Sequence, residues 1–418
     1  METFFKVKTP DEVCEIIDQF GPSGVETIPL EESHGRVLSQ DVISPEDLPG
    51  FFRSVMDGYA VRAQDTFGAS EGLPALLEIH GEVTMGQVPE MVVSEGQAVK
   101  ISTGGMLPEG ADGVVMVEYS DLLDEKTVEI SRAISPLENV IQPADDFAKG
   151  ATVLKRGHTL RAQDLGIMAG LGLSGFPVYT RPRVAIISTG DEIVPIGDRP
   201  RKGQVRDINR YTLDAFCQRI GAVPLYVGLC PDDFETLKGM VEKALSQADT
   251  VWISGGSSVG TRDLTLKVFE TLRDFELLVH GISISPGKPT IIGRSGLQPI
   301  IGLPGHVASA LVIAEVFLTR LISRLSGNAN PSNEFHAHVE AELSRNIESA
   351  GGREDYIRVR LAQKGEKLIA TPIYGKSGLI STLVESDGLV RVDMNTEGLY
   401  QGQQVRIMLF NPINGGTQ

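Results

Sequence analysis

The apolar run Val251-Trp252-Ile253 breaks off into Ser254-Gly255-Gly256-Ser257-Ser258-Val259-Gly260, with Asp263 just beyond. A short apolar run bounded by a turn cluster reads as an interior strand, and Leu264 to Leu272 has helical spacing, so the segment predicts strand, glycine loop and helix. Glycines let the backbone approach a ligand, and hydroxyls with free N–H groups ahead of a helix suit phosphate or another oxyanion. Asp263 is no phosphate contact. It either caps the helix or holds the metal ion that accompanies a phosphate. Two further turns follow apolar strands: Ser285-Pro286-Gly287-Lys288-Pro289 after Leu277 to Ile284, and Gly302-Leu303-Pro304-Gly305 after Pro299 to Ile301. In an open parallel sheet such strand ends converge on one crevice, where ligands bind.

A chain of 418 residues exceeds one core and predicts three or four domains. Thr9 and Glu12 form a capping-box pattern around Pro10, and Val13, Ile16, Ile17 and Phe20 share a face, so a helix is expected up to Gly21-Pro22. Short strands over Leu76 to Val83, Gln97 to Ser102, Gly113 to Tyr119 and Thr127 to Ile130 predict a small β domain. The stretch from Asp145 to Tyr179 reads as a return that packs with the first helix. From Val184 strands and helices alternate up to the long apolar helix Val307 to Leu325, a βαβ series and hence a mostly parallel sheet. After a linker at Gly327 to Asn333, strands at His336 to Leu343, Tyr356 to Leu361, Leu368 to Thr371, Gly388 to Val392 and Gln404 to Leu409 predict a C-terminal β domain. The expected class is multidomain α/β plus β, divided as 1–45 with 144–180, 46–143, 181–328 and 329–418.

With 38 basic against 55 acidic residues, a formal −17, a nucleic-acid surface is not expected and any anion site must be locally basic. Cys14, Cys217 and Cys230 have no paired spacing, which predicts a reducing, cytoplasmic setting without disulfides or a zinc cluster. No run of eighteen apolar residues occurs, and Met1 to Lys6 has no signal core, so neither membrane insertion nor secretion is expected. His336 and His338 would share a strand face; with no third ligand nearby they read as a solvated face.

Read together, the turns resemble the molybdopterin molybdenumtransferase family, the molybdenum insertases that include the gephyrin E domain. The matching pieces are Met56-Asp57-Gly58-Tyr59-Ala60, Ile101-Ser102-Thr103-Gly104, Gly110 to Glu118, Arg181 to Glu192, Ser254 to Asp263, Pro286-Gly287-Lys288-Pro289 and Gly302 to Gly305. The resemblance runs nearly end to end. It implies a molybdopterin-binding sheet domain, a β domain inserted in an N-terminal α+β domain, and a barrel-like C-terminal domain. It also implies an elongated homodimer whose cleft lies between the third and fourth domains of one subunit and the second domain of the other.

The activity it implies is insertion of molybdate into the dithiolene of adenylylated molybdopterin, with release of AMP and Mg2+ dependence; contact with molybdopterin adenylyltransferase is allowed. Asp263, Lys288, Asp57 and Thr103 would be catalytic. Ser254, Gly255, Gly256, Ser257, Ser258 and Gly260 would cradle the substrate phosphates. Asp263 with Glu192 or Asp232 would hold Mg2+, although Glu192 and Asp232 also read as solvated caps. Lys288, Pro289, Ser309, Arg358 and Ser377 would hold the oxyanion, with Ser309 at a helix start and Arg358 equally readable as one of several exposed strand arginines. The sequence departs from the family where Ser285 and Gly281 stand in place of lysines and His306-Val307 replaces a frequent Asn-Pro. Those changes keep open a tungstate insertase, and a pterin-binding scaffold without activity is the non-enzymatic reading.

Overall fold

The computed structural model describes residues 7–255, 259–329 and 336–411, with residues 259–263 described by backbone alone. Gly256, Ser257, Ser258 and part of the linker lie outside the described residues, as do the side chain of Asp263 and the surroundings of Gly260.

The sheet domain carries strands β1 (Arg183–Thr189), β2 (Val223–Cys230), β3 (Thr250–Gly255), β4 (Phe275–His280), β5 (Ile291–Ser295) and β6 (Gln298–Leu303). Its helices are α1 (Asn209–Arg219), α2 (Phe234–Leu245), α3 (Val259–Glu270), α4 (Val307–Ile313) and α5 (Thr319–Leu325). Strand order is β2-β1-β3-β6-β5-β4, and only β5 runs against the rest. Both faces are covered. Val184, Ile186, Trp252 and Ile301 pack against α1, α4 and α5, whereas Ala185, Ile187, Val251 and Ile253 pack against Leu237, Val241, Val268 and Phe269 of α2 and α3. Double coverage is why these strands read as unbroken apolar runs.

Two expectations in this domain change. The run Leu277 to Ile284 is not one strand: β4 ends at His280, Gly281 takes a φ of +98°, and Ile284–Ser285 leaves to pair in parallel with Glu354–Asp355 of the C-terminal domain. The helix Val307 to Leu325 is interrupted by a π-helical turn at Ala314–Leu318. An apolar periodicity does not register that interruption.

The first helix, Pro10–Ile17, has its capping box in place: Glu12 N–H donates to Thr9 Oγ1 at 3.3 Å and Thr9 N–H to the Glu12 carboxylate at 2.8 Å. It does not pack on the Asp145 to Tyr179 return. Val13, Ile17 and Phe20 join the core of the sheet domain with Phe317 and Leu321, and Arg320 grips Asp18 through both carboxylate oxygens at 2.7 and 2.5 Å. An amphipathic pattern fixes which face is buried, not its partner. The return instead pairs Gly175–Tyr179 with Val25–Pro29 and Thr152–Leu154 with Val42–Ile43, over Ile28, Leu38, Leu160, Met168 and Val178.

In the inserted β domain the described strands run Gly113–Met116, Gly58–Val61, Gln97–Ile101, Ala75–Val83, Thr127–Ile130, Ser120–Leu122 across a six-stranded sheet. Gly58–Val61, not anticipated as a strand, lies between two others because Gly58 admits close backbone approach; a Cβ there would sit 1.9 Å from the Val115 carbonyl oxygen. The C-terminal domain closes Glu354–Lys364, Lys367–Pro372, His338–Leu343, Gln404–Leu409 and Gly388–Val392 into a five-strand barrel around Ala341, Val359, Ala370, Val390 and Ile407. His336 overturns the solvated-face reading. It precedes the first barrel strand, is buried, and its ring pairs with the carbonyls of Glu315 at 3.1 Å and Leu409 at 3.3 Å. Among the described residues no helix is long and apolar enough to cross a membrane.

Candidate functional site

The C-terminal ends of β1, β2 and β3 lie side by side. Gly255 closes β3 at a φ of +157°, and a Cβ on it would fall 1.9 Å from the Thr189 carbonyl oxygen, so only glycine permits this approach of β3 to β1. Asp232 is not the helix cap. Asp233 takes that place, accepting from Thr236 N–H at 2.9 Å and its hydroxyl at 2.6 Å, while Asp232 accepts from the Thr189 hydroxyl at 3.0 Å. The Asp232 N–H donates to Asp191 Oδ1 at 3.1 Å, and the exposed Glu192 folds back over Gly190. Asp191, Glu192 and Asp232 thus bring carboxylate oxygens, the donor type that Mg2+ takes, to the strand ends without closing into a three-ligand cluster. Among the described residues no three His, Cys, Asp or Glu side chains come together tightly enough to hold a metal.

A second group of candidate residues comes from the Pro286–Pro289 turn, the Gly302–Gly305 turn, α4 and a loop of the barrel, joined to the end of β3 through Asn209, which bonds both Ser254 and Gly305. Gly287, at a φ of +122°, lies against α4; a Cβ would meet Ile313 at 2.6 Å. Lys288 is exposed on that turn and Pro289 is half-buried. Ser309 is buried in the first turn of α4, where the Ala308 N–H is spent on the carbonyl of Ser377 at 3.1 Å. The Ser377 hydroxyl also pairs with His306 Nδ1 at 2.8 Å.

Arg358 is no ordinary surface strand residue. It is 8% exposed and donates to Thr382 Oγ1 at 2.8 Å and to the Gly375 carbonyl at 3.0 Å, and burial pulls its pKa below the usual arginine value. Its Nε is buried without a hydrogen-bond partner among the described residues. Arg353 and Arg360 are instead committed to Asp355 and Glu385. Asp57 and Thr103 do meet: Asp57 Oδ1 accepts from the Thr103 N–H at 2.7 Å and hydroxyl at 3.1 Å, exposed on the inserted domain.

Family comparison matches residues 8–172 to the "MoeA N-terminal region (domain I and II)", 185–324 to a "Probable molybdopterin binding domain" and 340–410 to the "MoeA C-terminal region (domain IV)". The chain is 32% identical to the molybdopterin molybdenumtransferase of Haemophilus influenzae over 94% of its own length and 96% of the relative's. The chain belongs to the molybdopterin molybdenumtransferase family. It is also 29% identical to the Bacillus subtilis molybdopterin molybdenumtransferase, covering 97% of this chain and 94% of that one. A crystal structure of the molybdopterin biosynthesis moeA protein from Pyrococcus horikoshii superimposes with a TM-score of 0.83 at 30% identity, over 97% of this chain and 100% of that one. The protein is therefore an enzyme of molybdenum cofactor biosynthesis, with the sheet domain and C-terminal barrel of a molybdopterin molybdenumtransferase.

Within that family assignment, the departures acquire local causes. At 281 the left-handed φ favours glycine over lysine, and Ser285 sits in the ladder to Asp355. His306 is the residue that occupies Ser377. Two residues escaped the sequence reading. Asp207 and Asn209 are buried at the start of α1, and Asn209 Nδ2 donates to Ser254 Oγ at 2.6 Å and to the Gly305 carbonyl at 2.8 Å. The available signal was an acid and an amide flanking the helix start, which reads first as capping. The cysteines stay out of the chemistry: burial pushes the Cys230 thiol up to about 11 and raises Cys14 and Cys217 as well.

Proposed function

We propose that this molybdopterin molybdenumtransferase takes adenylylated molybdopterin and molybdate, inserts the metal into the dithiolene and releases AMP. The observation that carries the reading is Arg358: a buried guanidinium with an unbonded Nε, on a barrel whose Ser377 loop docks at the head of the helix bearing Ser309. A planar cation held by two fixed partners and retaining a spare donor suits a tetrahedral dianion. Lys288 and Ser309 supply further charge and a hydroxyl, with Pro289 stiffening the turn.

The Ser254 to Gly260 loop would receive the phosphoanhydride. Glu192, Asp232 and Asp263 would hold Mg2+, which when bound neutralises phosphoryl charge. The chain's own residues position the reactants and screen their like charges, with no side-chain nucleophile. Asp57 and Thr103, already paired on the inserted domain, would complete the cleft from the partner subunit of a homodimer. Tungstate, a near-isostere of molybdate, is the second reading, favoured by the absence of lysines at 281 and 285.

The test supplies purified protein with adenylylated molybdopterin, Mg2+ and either molybdate or tungstate, and follows AMP release and metal incorporation. Release with molybdate and its loss in Lys288→Ala are expected. No AMP with either oxyanion would overturn the insertase in favour of a pterin-binding scaffold, and faster turnover with tungstate would change the substrate.

A further inference from the structure

We infer that Asp207 and Asn209 recognise the hydrogen-bond-donating edge of the organic substrate, and that Asn209 also sets the spacing of two loops that enclose it. This rests on the strand ends being the substrate site proposed above. A short parallel ladder, Ile193–Val194 with Val205–Arg206, brings the chain back beside the end of β1, and the Asp207 N–H donates to the Val194 carbonyl at 3.0 Å. Helix α1 begins directly afterwards. The acid and the amide are 6% and 7% exposed, respectively.

Their hydrogen bonds are half used. Asp207 Oδ1 accepts from the Arg210 N–H at 3.1 Å, which secures the helix start, while Oδ2 has no partner among the described residues. Asn209 spends Nδ2 on Ser254, at the end of β3, and on Gly305, closing the Gly302–Gly305 turn, whereas its Oδ1 is unpaired. The buried Ser188, which neighbours Ser254 across the β1–β3 ladder, has the Tyr226 hydroxyl beside it. Buried polar atoms are ordinarily satisfied, and a bare one is costly to keep.

The chemistry of the bare atoms selects a ligand. A carboxylate oxygen and an amide oxygen only accept, so they call for N–H or O–H groups. Phosphate and molybdate offer none as dianions and would be repelled by Asp207. Two parts of an adenylylated pterin do offer them: the vicinal ribose hydroxyls, and the amino and ring N–H edge of the pterin. A carboxylate beside a phosphate-binding loop is well suited to the first.

Calorimetric titration decides it, with AMP, 2′,3′-dideoxy-AMP and free pterin as probes. Asp207→Ala is expected to weaken one probe about tenfold, and the affected probe names the edge. If it is the ribose, dideoxy-AMP binds the native enzyme about tenfold more weakly than AMP does but loses nothing more in Asp207→Ala, a coupling that a general loosening of the fold would not produce. Asn209→Ala should weaken both AMP and pterin, because it releases the two loops. Asp207→Asn keeps the shape and provides the same test if the alanine variant does not fold, with a smaller loss. Unchanged affinities for AMP and pterin in both folded Asp207 variants overturn the inference, as do purely additive losses with dideoxy-AMP where AMP is the weakened probe. Native enzyme that binds neither probe overturns the substrate reading of the strand ends and takes the inference with it.

Discussion

Two buried polar clusters of the sheet domain are made from similar groups and treat them oppositely. Where the barrel meets α1 and the π turn, Arg219 Nη2 reaches both oxygens of Glu315 at 2.6 and 2.5 Å, its other nitrogen donates to the Phe410 carbonyl, and His336 bridges the carbonyls of Glu315 and Leu409. Both carboxylate oxygens are spent on Arg219, and the His336 ring, kept neutral by burial, donates to one of the two carbonyls it faces. At the start of α1, Asp207 and Asn209 each keep an oxygen bare, and in the barrel Arg358 keeps a bare Nε. Arg219 and His336 tie the sheet domain to the end of the barrel, whereas the bare oxygens of Asp207 and Asn209 leave acceptors open to a further group. Bare buried atoms also occur at Ser323 Oγ beside the joint and at Arg53 Nε on the inserted domain, so it is the acceptor chemistry of Asp207 and Asn209, more than bareness alone, that marks them out.

The largest way to break that contrast is Arg219→Ala, which strands the Glu315 carboxylate in the joint. At about pH 8 it should cost about 3–5 kcal/mol in denaturant unfolding. A loss no larger than that of a surface substitution would mean that the joint is not held by pairing. Next comes Arg358→Lys, which keeps the charge but not the fork. Turnover should fall on the order of a hundredfold while the melting temperature stays close to native; equal damage to both would make Arg358 part of the joint.

A pH series sharpens the same contrast. Burial pushes the Glu315 carboxyl up to about 7, against the pull of Arg219. A raised native value means that this group's contribution is complete below the unfolded value and is lost as pH rises through about 7. His336 is shifted down by burial, so its contribution is present above the unfolded value and is lost as pH falls. Glu315→Gln should thus gain in melting temperature relative to the native protein from about pH 5 to 8, and a flat difference would contradict the assigned shift. The smallest effect is expected at His306→Asn, which frees the Ser377 hydroxyl. The KM for oxyanion should change by about fivefold or less, the worth of one exposed hydrogen bond, with kcat steady.

Much of the sheet domain was legible because strands covered on both faces must be continuously apolar and the loops after them need glycine. Val251 to Gly255 is that rule in a few residues. The partner of the first helix was not legible, since Val13 and Ile17 announce a buried face without saying whether the return or α5 covers it. Nor was the fate of Ile284, an apolar residue that serves a different sheet from Leu277. Asp57, Thr103 and Arg358 were reached through family motifs; the structure adds that Asp57 and Thr103 are hydrogen-bonded and that Arg358 is buried, which residue spacing alone does not reveal. Asp207 and Asn209 were missed because a helix start accounts for an acid and an amide without any ligand; only their unspent oxygens distinguish the two cases.

The short strand Ile284–Ser285 gives the barrel a main-chain attachment. It is hydrogen-bonded to Glu354–Asp355, the first rung of the barrel strand that also carries Arg358, and it runs straight into the Pro286–Pro289 turn that carries Lys288. The strand that bears Arg358 and the turn that bears Lys288 are therefore neighbours through one main-chain ladder, although about seventy residues of sequence separate them.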